Sequence, residues 1–182
     1  MKKIFYCIVI LIVFQTIQMI QISLCFNPNI NIPKDARYLC YVDFKKLSCF
    51  DRFYIYDIKK NKVIYSARVQ HGIGGNSTIF KPKFSNKIGS NCSSLGLFKV
   101  SCLSKMYSSG VECFRLKGLS NTNSNAEKRG ILIHPGFGVS LIPLGIPLPV
   151  SPESKGCFTV SIITMQVLKY CLNKGNIYIY SN

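Results

Sequence analysis

Residues 52–58 read RFYIYDI, and after KKNK the chain continues as VIYSARVQHG over residues 63–72. Aromatic and β-branched residues alternate on either side of a short Lys/Asn turn. That describes a hairpin, because successive strand side chains point to opposite faces of a sheet. A helix does not accommodate the pattern, since its period is two rather than 3.6. The signature returns in SLGLFKVSC (94–102) and VECFRLKGL (111–119), and GILIHPG (130–136) is a continuous apolar run stopped by His, Pro and Gly. GCFTVS (156–161) and NIYIYS (176–181) supply two further short strands. Only residues 162–175 have helical spacing, with Ile163, Val167, Leu168 and Cys171 as the apolar positions before a terminal Lys and Gly. The expected fold is mainly β, a sandwich or partly open barrel with one helix near the C-terminus.

The N-terminus has a different character. Lys2 and Lys3 precede an apolar run from residue 4 to residue 14, which Gln15, Thr16, Gln18 and Gln21 then interrupt. The run is short of bilayer-spanning length and is followed by Ser-Leu-Cys, a tolerable cleavage site. The expected organisation is a signal peptide over 1–25, a polar lead-in over 26–36 and one catalytic-sized domain over 37–182. A retained N-terminal anchor and a lipidated Cys25 are the alternatives, and all of them mean export.

The chain carries a formal charge of +16, from 23 Lys+Arg against 7 Asp+Glu. Such a charge favours peripheral contact with an anionic envelope surface. The lysines are scattered, without a nucleic-acid-binding motif or stacking aromatics beside them, so no nucleic-acid partner is expected. Two histidines 63 positions apart, with few carboxylates, give no metal-ligand spacing, and neither metal nor organic cofactor is expected. A monomer is expected. Beyond residue 25 there are seven cysteines, an odd number, so at least one stays free or pairs between chains. The other six either form up to three bridges or act as small buried hydrophobes.

Two long segments, 72–94 and 138–154, lack a strand or helix pattern and lie next to a histidine or to Cys157; they are read as walls of a site. His134 ends an apolar strand, and Cys157 follows 23 residues later behind Gly156. A thiolate is the reactive form of cysteine, and a neighbouring base or cation is needed to reach it from an ordinary pKa of about 8.5. Histidine can take the thiol proton and return it to a leaving amine. Consecutive N–H groups at Lys155, Gly156 and Cys157 are candidates for holding a developing oxyanion. The bland reading of each residue is a strand-end histidine and a buried structural cysteine.

ILIHPG followed by SKGC resembles the paired histidine and S-x-G-C motifs of the YkuD-like L,D-transpeptidases. The HG at His71, the segment FSNKIGSNCSSLGLFKVS (84–101) and the segment GLSNTNSNAEKRGILIH (118–134) are similar, in that order, to the branch known as the murein L,D-transpeptidase catalytic domain family. The resemblance runs from about residue 57 to residue 180. It implies a β-rich catalytic domain acting on peptidoglycan stem peptides, with Cys157 as nucleophile and His134 as base and later acid. Ser154 would shape the motif turn and Gly156 would support the oxyanion hole, with Lys155 beside them. His71 is expected either to orient substrate or the catalytic pair, or simply to sit at a strand end. Ser93, Ser94 and Gly96 fall in the first matching segment as structural positions. Asn125 and Arg129 are expected to brace the histidine strand; the alternative is a capped turn with a surface arginine.

The implied reaction is attack on the L–D amide of a donor tetrapeptide, loss of D-alanine, and transfer to an acceptor stem amine as a 3→3 cross-link. The alternatives are an L,D-carboxypeptidase on the same scaffold and a non-catalytic wall-binding module. This chain departs from the resemblance at four places. Lys155 stands where many relatives have His, and Glu153 where the branch usually has Arg. HPGFG replaces the usual Gly-Ala after the histidine, and residues 141–150 are rich in proline and apolar side chains.

Overall fold

The computed structural model describes residues 30–140 and 154–182. The proposed signal peptide, Glu153 and the proline-rich stretch 141–150 lie outside the described residues. Among the described residues, no helix is long and apolar enough to cross a membrane.

Eight strands form one sheet: β1 (Ala36–Val42), β2 (Phe53–Asp57), β3 (Lys62–Ala67), β4 (Gly96–Lys105), β5 (Glu112–Gly118), β6 (Leu132–Pro135), β7 (Phe158–Val160) and β8 (Asn176–Ser181). Their order across the sheet is β3-β2-β1-β8-β4-β5-β6-β7. The β1–β8 and β6–β7 pairs are parallel and the rest are antiparallel. Beyond β3, Gln70 bridges to Thr159 on β7, so the two edges of the sheet meet at one point. The sheet is therefore a curled, partly open barrel, and the sandwich arrangement is not used.

The core follows from the two-residue period. Cys40 and Val42, Phe53 and Ile55, Phe98 and Val100, Phe114 and Leu116, Phe158 and Val160, and Ile177 and Ile179 are pairs two residues apart, all buried in one cluster. Phe98 meets Phe158 edge-on at 5.4 Å between ring centroids, a favoured aromatic geometry. The expected hairpin forms with Phe53 opposite Ala67 and Asp57 opposite Lys62. Its turn is closed by Asp57, whose Oδ1 accepts the Lys60 N–H at 2.9 Å, and by Asn61 at φ 50°, a conformation asparagine tolerates.

Helix α1 (Phe137–Ser140) is a single turn after β6, and α2 (Ile162–Leu172) is the main helix. Ser161 caps α2, its Oγ accepting the Thr164 N–H at 3.1 Å. The buried face of α2 is Thr164, Met165, Leu168 and Cys171. The expected face included Ile163, which is instead 65% exposed. Leu168 and Cys171 fix the phase, and Met165, one turn before Leu168, belongs to that stripe where Ile163 does not.

All seven cysteines of the described residues are free. Cys40 and Cys171 are buried in the core cluster in the manner of small hydrophobes, and Cys92 and Cys113 are buried outside it.

Candidate active site

The parallel pair β6–β7 sets the geometry. Ile133 is opposite Phe158 and His134 is opposite Thr159. Ile133 and Phe158 are both in the core, so His134 and Thr159 face the other way, together with Leu132 and with Cys157, the residue before β7. Cys157 and His134 thus share one face of adjacent strands, one pair-step apart. The Cys157 Sγ lies 3.7 Å from the Gly130 carbonyl, where the S–H donates. No hydrogen bond between that sulfur and the His134 ring is present among the described contacts. Catalytic hydrogen bonds often tighten only when substrate is bound, and the strand register keeps the two side chains neighbours.

The two histidines differ in the one respect that decides their chemistry. The Nδ1 of His134 is 3.0 Å from the Pro135 carbonyl. A carbonyl only accepts, so Nδ1 carries the proton and Nε2 holds the lone pair. His71 is fully buried, with Nδ1 2.9 Å from Arg52 Nη2 and Nε2 3.2 Å from the Thr78 carbonyl. Arginine only donates, so Nδ1 accepts and Nε2–H is spent on the carbonyl. Burial, and then the Arg52 charge, lower the His71 pKa to about 4. His134 can act as a base; His71 is a neutral buried joint with both nitrogens occupied.

This has a consequence for stability. A histidine whose folded pKa lies below its unfolded value of about 6.5 binds fewer protons when folded. Its contribution is complete above pH 6.5 and is lost as pH falls through about 4. Wild-type stability is expected to fall across this window by up to about 1.4 kcal/mol per pH unit from this group. In His71→Gln the slope is expected to be shallower, as measured by urea unfolding at pH 4.5, 5.5 and 6.5. Equal slopes would show that His71 is not the titrating group.

The cysteine is presented by a tight turn. Ser154 Oγ donates to the Cys157 carbonyl at 2.7 Å and accepts the Gly156 N–H at 3.3 Å. Gly156 has φ +111°, a conformation that side chains disfavour. The turn is pinned from behind: Ser154 bridges to Gly72 and its carbonyl accepts the Ile73 N–H at 2.9 Å. The Gly72 N–H donates to Ser93 Oγ at 2.9 Å. A Cβ on Gly72 would lie 2.8 Å from the Gly156 Cα and 2.3 Å from the Asn91 carbonyl oxygen. The HG, SNCS and SKGC stretches therefore touch backbone to backbone. Lys155 is exposed at the outer corner of the turn.

Arg129 lies underneath. Its Nη1 donates to the Ser85 carbonyl at 2.7 Å and to Ser94 Oγ, and its Nη2 donates to the Cys92 carbonyl and, at 3.3 Å, to Ser90 Oγ. Nη2 would be 3.0 Å from a Cβ on Gly156, so the guanidinium lies against the turn that carries Cys157. Asn125 donates two hydrogen bonds to Asn86, from its backbone N–H to Oδ1 at 3.0 Å and from Nδ2 to the carbonyl at 3.1 Å. Asn86 in turn donates to the Asn121 carbonyl and to Ser124 Oγ, both at 3.0 Å. Ser94 also donates to the Ser85 carbonyl, and Ser181 donates to the Ser94 carbonyl, both at 3.0 Å. Gly96, at φ +107°, leaves room for Ser120, whose Oγ accepts the Leu97 N–H. Asn125 and Arg129 thus bond to the segment 85–94, and Arg129 is half-buried. The wall expected over 72–94 is this segment; of the second wall, only residues 138–140 and 154 are described.

The Cys157 thiol is pushed above its ordinary pKa, mainly by burial, with the Leu132 backbone N–H opposing and Cys113 adding to the rise. Burial and Cys113 both favour the protonated thiol. Two further neighbours belong to no motif of the sequence. β5 pairs with β6, Phe114 opposite Ile133 and Arg115 opposite Leu132, so the next position, Cys113, falls beside His134. Arg52, 19 residues before His71, is fully buried, donating to the Val69 carbonyl through Nε (2.9 Å) and Nη2 (2.7 Å). An arginine inside a strand pattern is the local signal for the latter; pairing register, which sequence does not print, locates the former.

Comparison with known proteins agrees with this architecture. No curated protein matches the chain. Among solved structures, an L,D-transpeptidase from Xylanimonas cellulosilytica is 15% identical, with 89% of this chain and 68% of that chain covered and a TM-score of 0.49. The helical cell shape determining protein Pgp2 from Campylobacter jejuni is 11% identical over 83% of this chain and 48% of its own, with a TM-score of 0.54. Bd1075 from Bdellovibrio bacteriovorus is 16% identical over 82% and 49%, with a TM-score of 0.47. The chain spans about half the length of these last two proteins, and the Pgp2 likeness is one of fold. A family model described as the L,D-transpeptidase catalytic domain matches residues 16–180, nearly the whole chain. The protein belongs to the L,D-transpeptidase catalytic domain family.

Proposed function

We propose that the protein is an exported peptidoglycan L,D-transpeptidase using Cys157 as nucleophile and His134 as general base and acid. The observation that carries this reading is the hydrogen bond from His134 Nδ1 to the Pro135 carbonyl. It leaves Nε2 unprotonated on the face shared with Cys157. Nε2 takes the thiol proton, and the sulfur attacks the carbonyl of the L–D amide in a donor tetrapeptide stem. The oxyanion falls to N–H groups of the Ser154–Cys157 turn; that of Gly156 already leans on Ser154 Oγ, so the Lys155 and Cys157 N–H groups are the better placed. The imidazolium returns its proton to the departing D-alanine amine, leaving a thioester. An acceptor stem amine then gives up a proton to Nε2, attacks the thioester and restores the cysteine. Water in the same place would release a tripeptide instead.

Purified protein incubated with tetrapeptide muropeptides is expected to release D-alanine and yield 3→3 cross-linked dimers, resolved by mass spectrometry of the products. Tripeptide without dimer would replace transfer by hydrolysis, and no release of D-alanine would overturn the catalytic reading.

A further inference from the structure

Three neighbouring strands carry one row of side chains across the site. Arg115 on β5 is opposite Leu132 on β6, and Leu132 is level with Cys157, one step before the Ile133–Phe158 pair. Phe114 and Leu116 are in the core, so Arg115 faces the other way, with Leu132 and Cys157. Two strand spacings put the Arg115 and Cys157 backbones about 9–10 Å apart. Arg115 is exposed, and its Nε donates to Ser104 Oγ at 3.3 Å. No carboxylate pairs with it among the described residues. Glu112, the acid of the same strand, alternates to the other face and accepts from Lys169 Nζ at 3.0 Å.

The proposed reaction gives that row a direction. The oxyanion falls on the β7 side, to the Ser154–Cys157 turn, and Lys155 and Arg129 lie in or against the same turn. The leaving amine takes its proton from His134, on β6. The residue that leaves therefore extends from β7 over β6 towards β5. Its carboxylate comes about 3.5 Å of chain beyond the scissile carbonyl. On that side β5 presents Cys113, a buried thiol, and Arg115, an exposed cation without an acid of its own.

We propose that Arg115 is a specificity-determining residue whose guanidinium binds the terminal carboxylate of the departing D-alanine, making the site selective for stems with a free C-terminus. This rests on the reading of Cys157 and His134 given above. A planar fork of N–H donors matches the two oxygens of a carboxylate. The contact holds the scissile amide across the row from sulfur to imidazole, and it leaves with the D-alanine.

The test compares two values of kcat/KM, for D-alanine release from a tetrapeptide and for D-alaninamide release from its C-terminal amide. Full-chain wild type, Arg115→Met, Arg115→Lys and Arg115→Glu are measured. Each ratio of acid to amide is taken within one variant, so a loss of folded protein cancels. Wild type is expected to prefer the acid by about tenfold, the worth of one hydrogen bond to a charged group. The ratio is expected to fall to about one in Arg115→Met, to stay above one in Arg115→Lys and to invert in Arg115→Glu. The change is expected in KM rather than kcat, since the contact exists before the chemical step. A wild-type ratio of one, or an Arg115→Met ratio equal to that of wild type, overturns the proposal and leaves Cys157 and His134 in place. Release from neither substrate by wild type overturns the cysteine–histidine reading and this proposal together.

Discussion

Cys157→Ala is expected to take up no covalent adduct from a carbapenem under reducing conditions, where the wild-type chain gains the mass of one. The prediction is sharper than a loss of activity because the chain has other thiols. Cys102 is exposed and Cys49 half-buried, so an indiscriminate electrophile has alternatives. Among the described cysteines, only Cys157 combines a tight glycine turn, a strand partner bearing a histidine, and a histidine tautomer with its lone pair on Nε2. The thiol's raised pKa makes the base necessary, since little thiolate forms unaided at neutral pH. His134→Gln is therefore expected to slow acylation by about 10²–10⁴-fold, the range for losing a positioned general base. His71→Gln should slow it far less, because that ring has no free nitrogen. Intact-mass time courses on the three variants measure this. A full adduct on Cys157→Ala, or equal rates for the two histidine variants, would sink the assignment.

The legible parts of the fold were those written in local periodicity. The β2–β3 hairpin was readable because its alternation and its Lys/Asn turn are contiguous. Strand β1 was not read, although it is central between β2 and β8. Its three successive buried residues, Tyr38, Leu39 and Cys40, have no alternation to betray a strand. The helix was found but its face was misphased, because Ile163 is apolar and nevertheless lies outside the stripe fixed by Leu168 and Cys171. Parallel pairing of β6 with β7, which makes Cys157 and His134 neighbours, is a long-range fact that no window of sequence contains.

At the site, motif order singled out residues without giving their partners. Arg129 matches a position within the resemblance, yet its four acceptors come from residues 85–94, brought in by the fold. The state of His71 depends on Arg52, which sequence offered no reason to connect with it. Residue types can be read directly; protonation states and unpaired groups require the neighbours.

The contact between Gly72 and Gly156 gives the second large effect. An alanine methyl at residue 72 would meet the Asn91 carbonyl oxygen at 2.3 Å, and the Ser93 nitrogen and Gly156 Cα at 2.8 Å. All three are backbone atoms in two other segments, so no side-chain rotation relieves the clash and whole segments must separate. Gly72→Ala is expected to cost about 3 kcal/mol or more, and to lower the melting temperature by about 6–12 °C for a domain of this size. Gly89→Ala is the matched comparison, since its added Cβ meets nothing within 4 Å and only its φ of +77° is unfavourable. That variant is expected to lose about 1–2 kcal/mol. The difference between them isolates the backbone contact from conformational preference. Separation of the segments also shifts the turn bearing Cys157, so Gly72→Ala is expected to lose carbapenem acylation at temperatures where it is still folded, whereas Gly89→Ala retains it. Melting by Gly72→Ala within 2 °C of Gly89→Ala, together with unchanged acylation, would mean that the three stretches are not in backbone contact in solution.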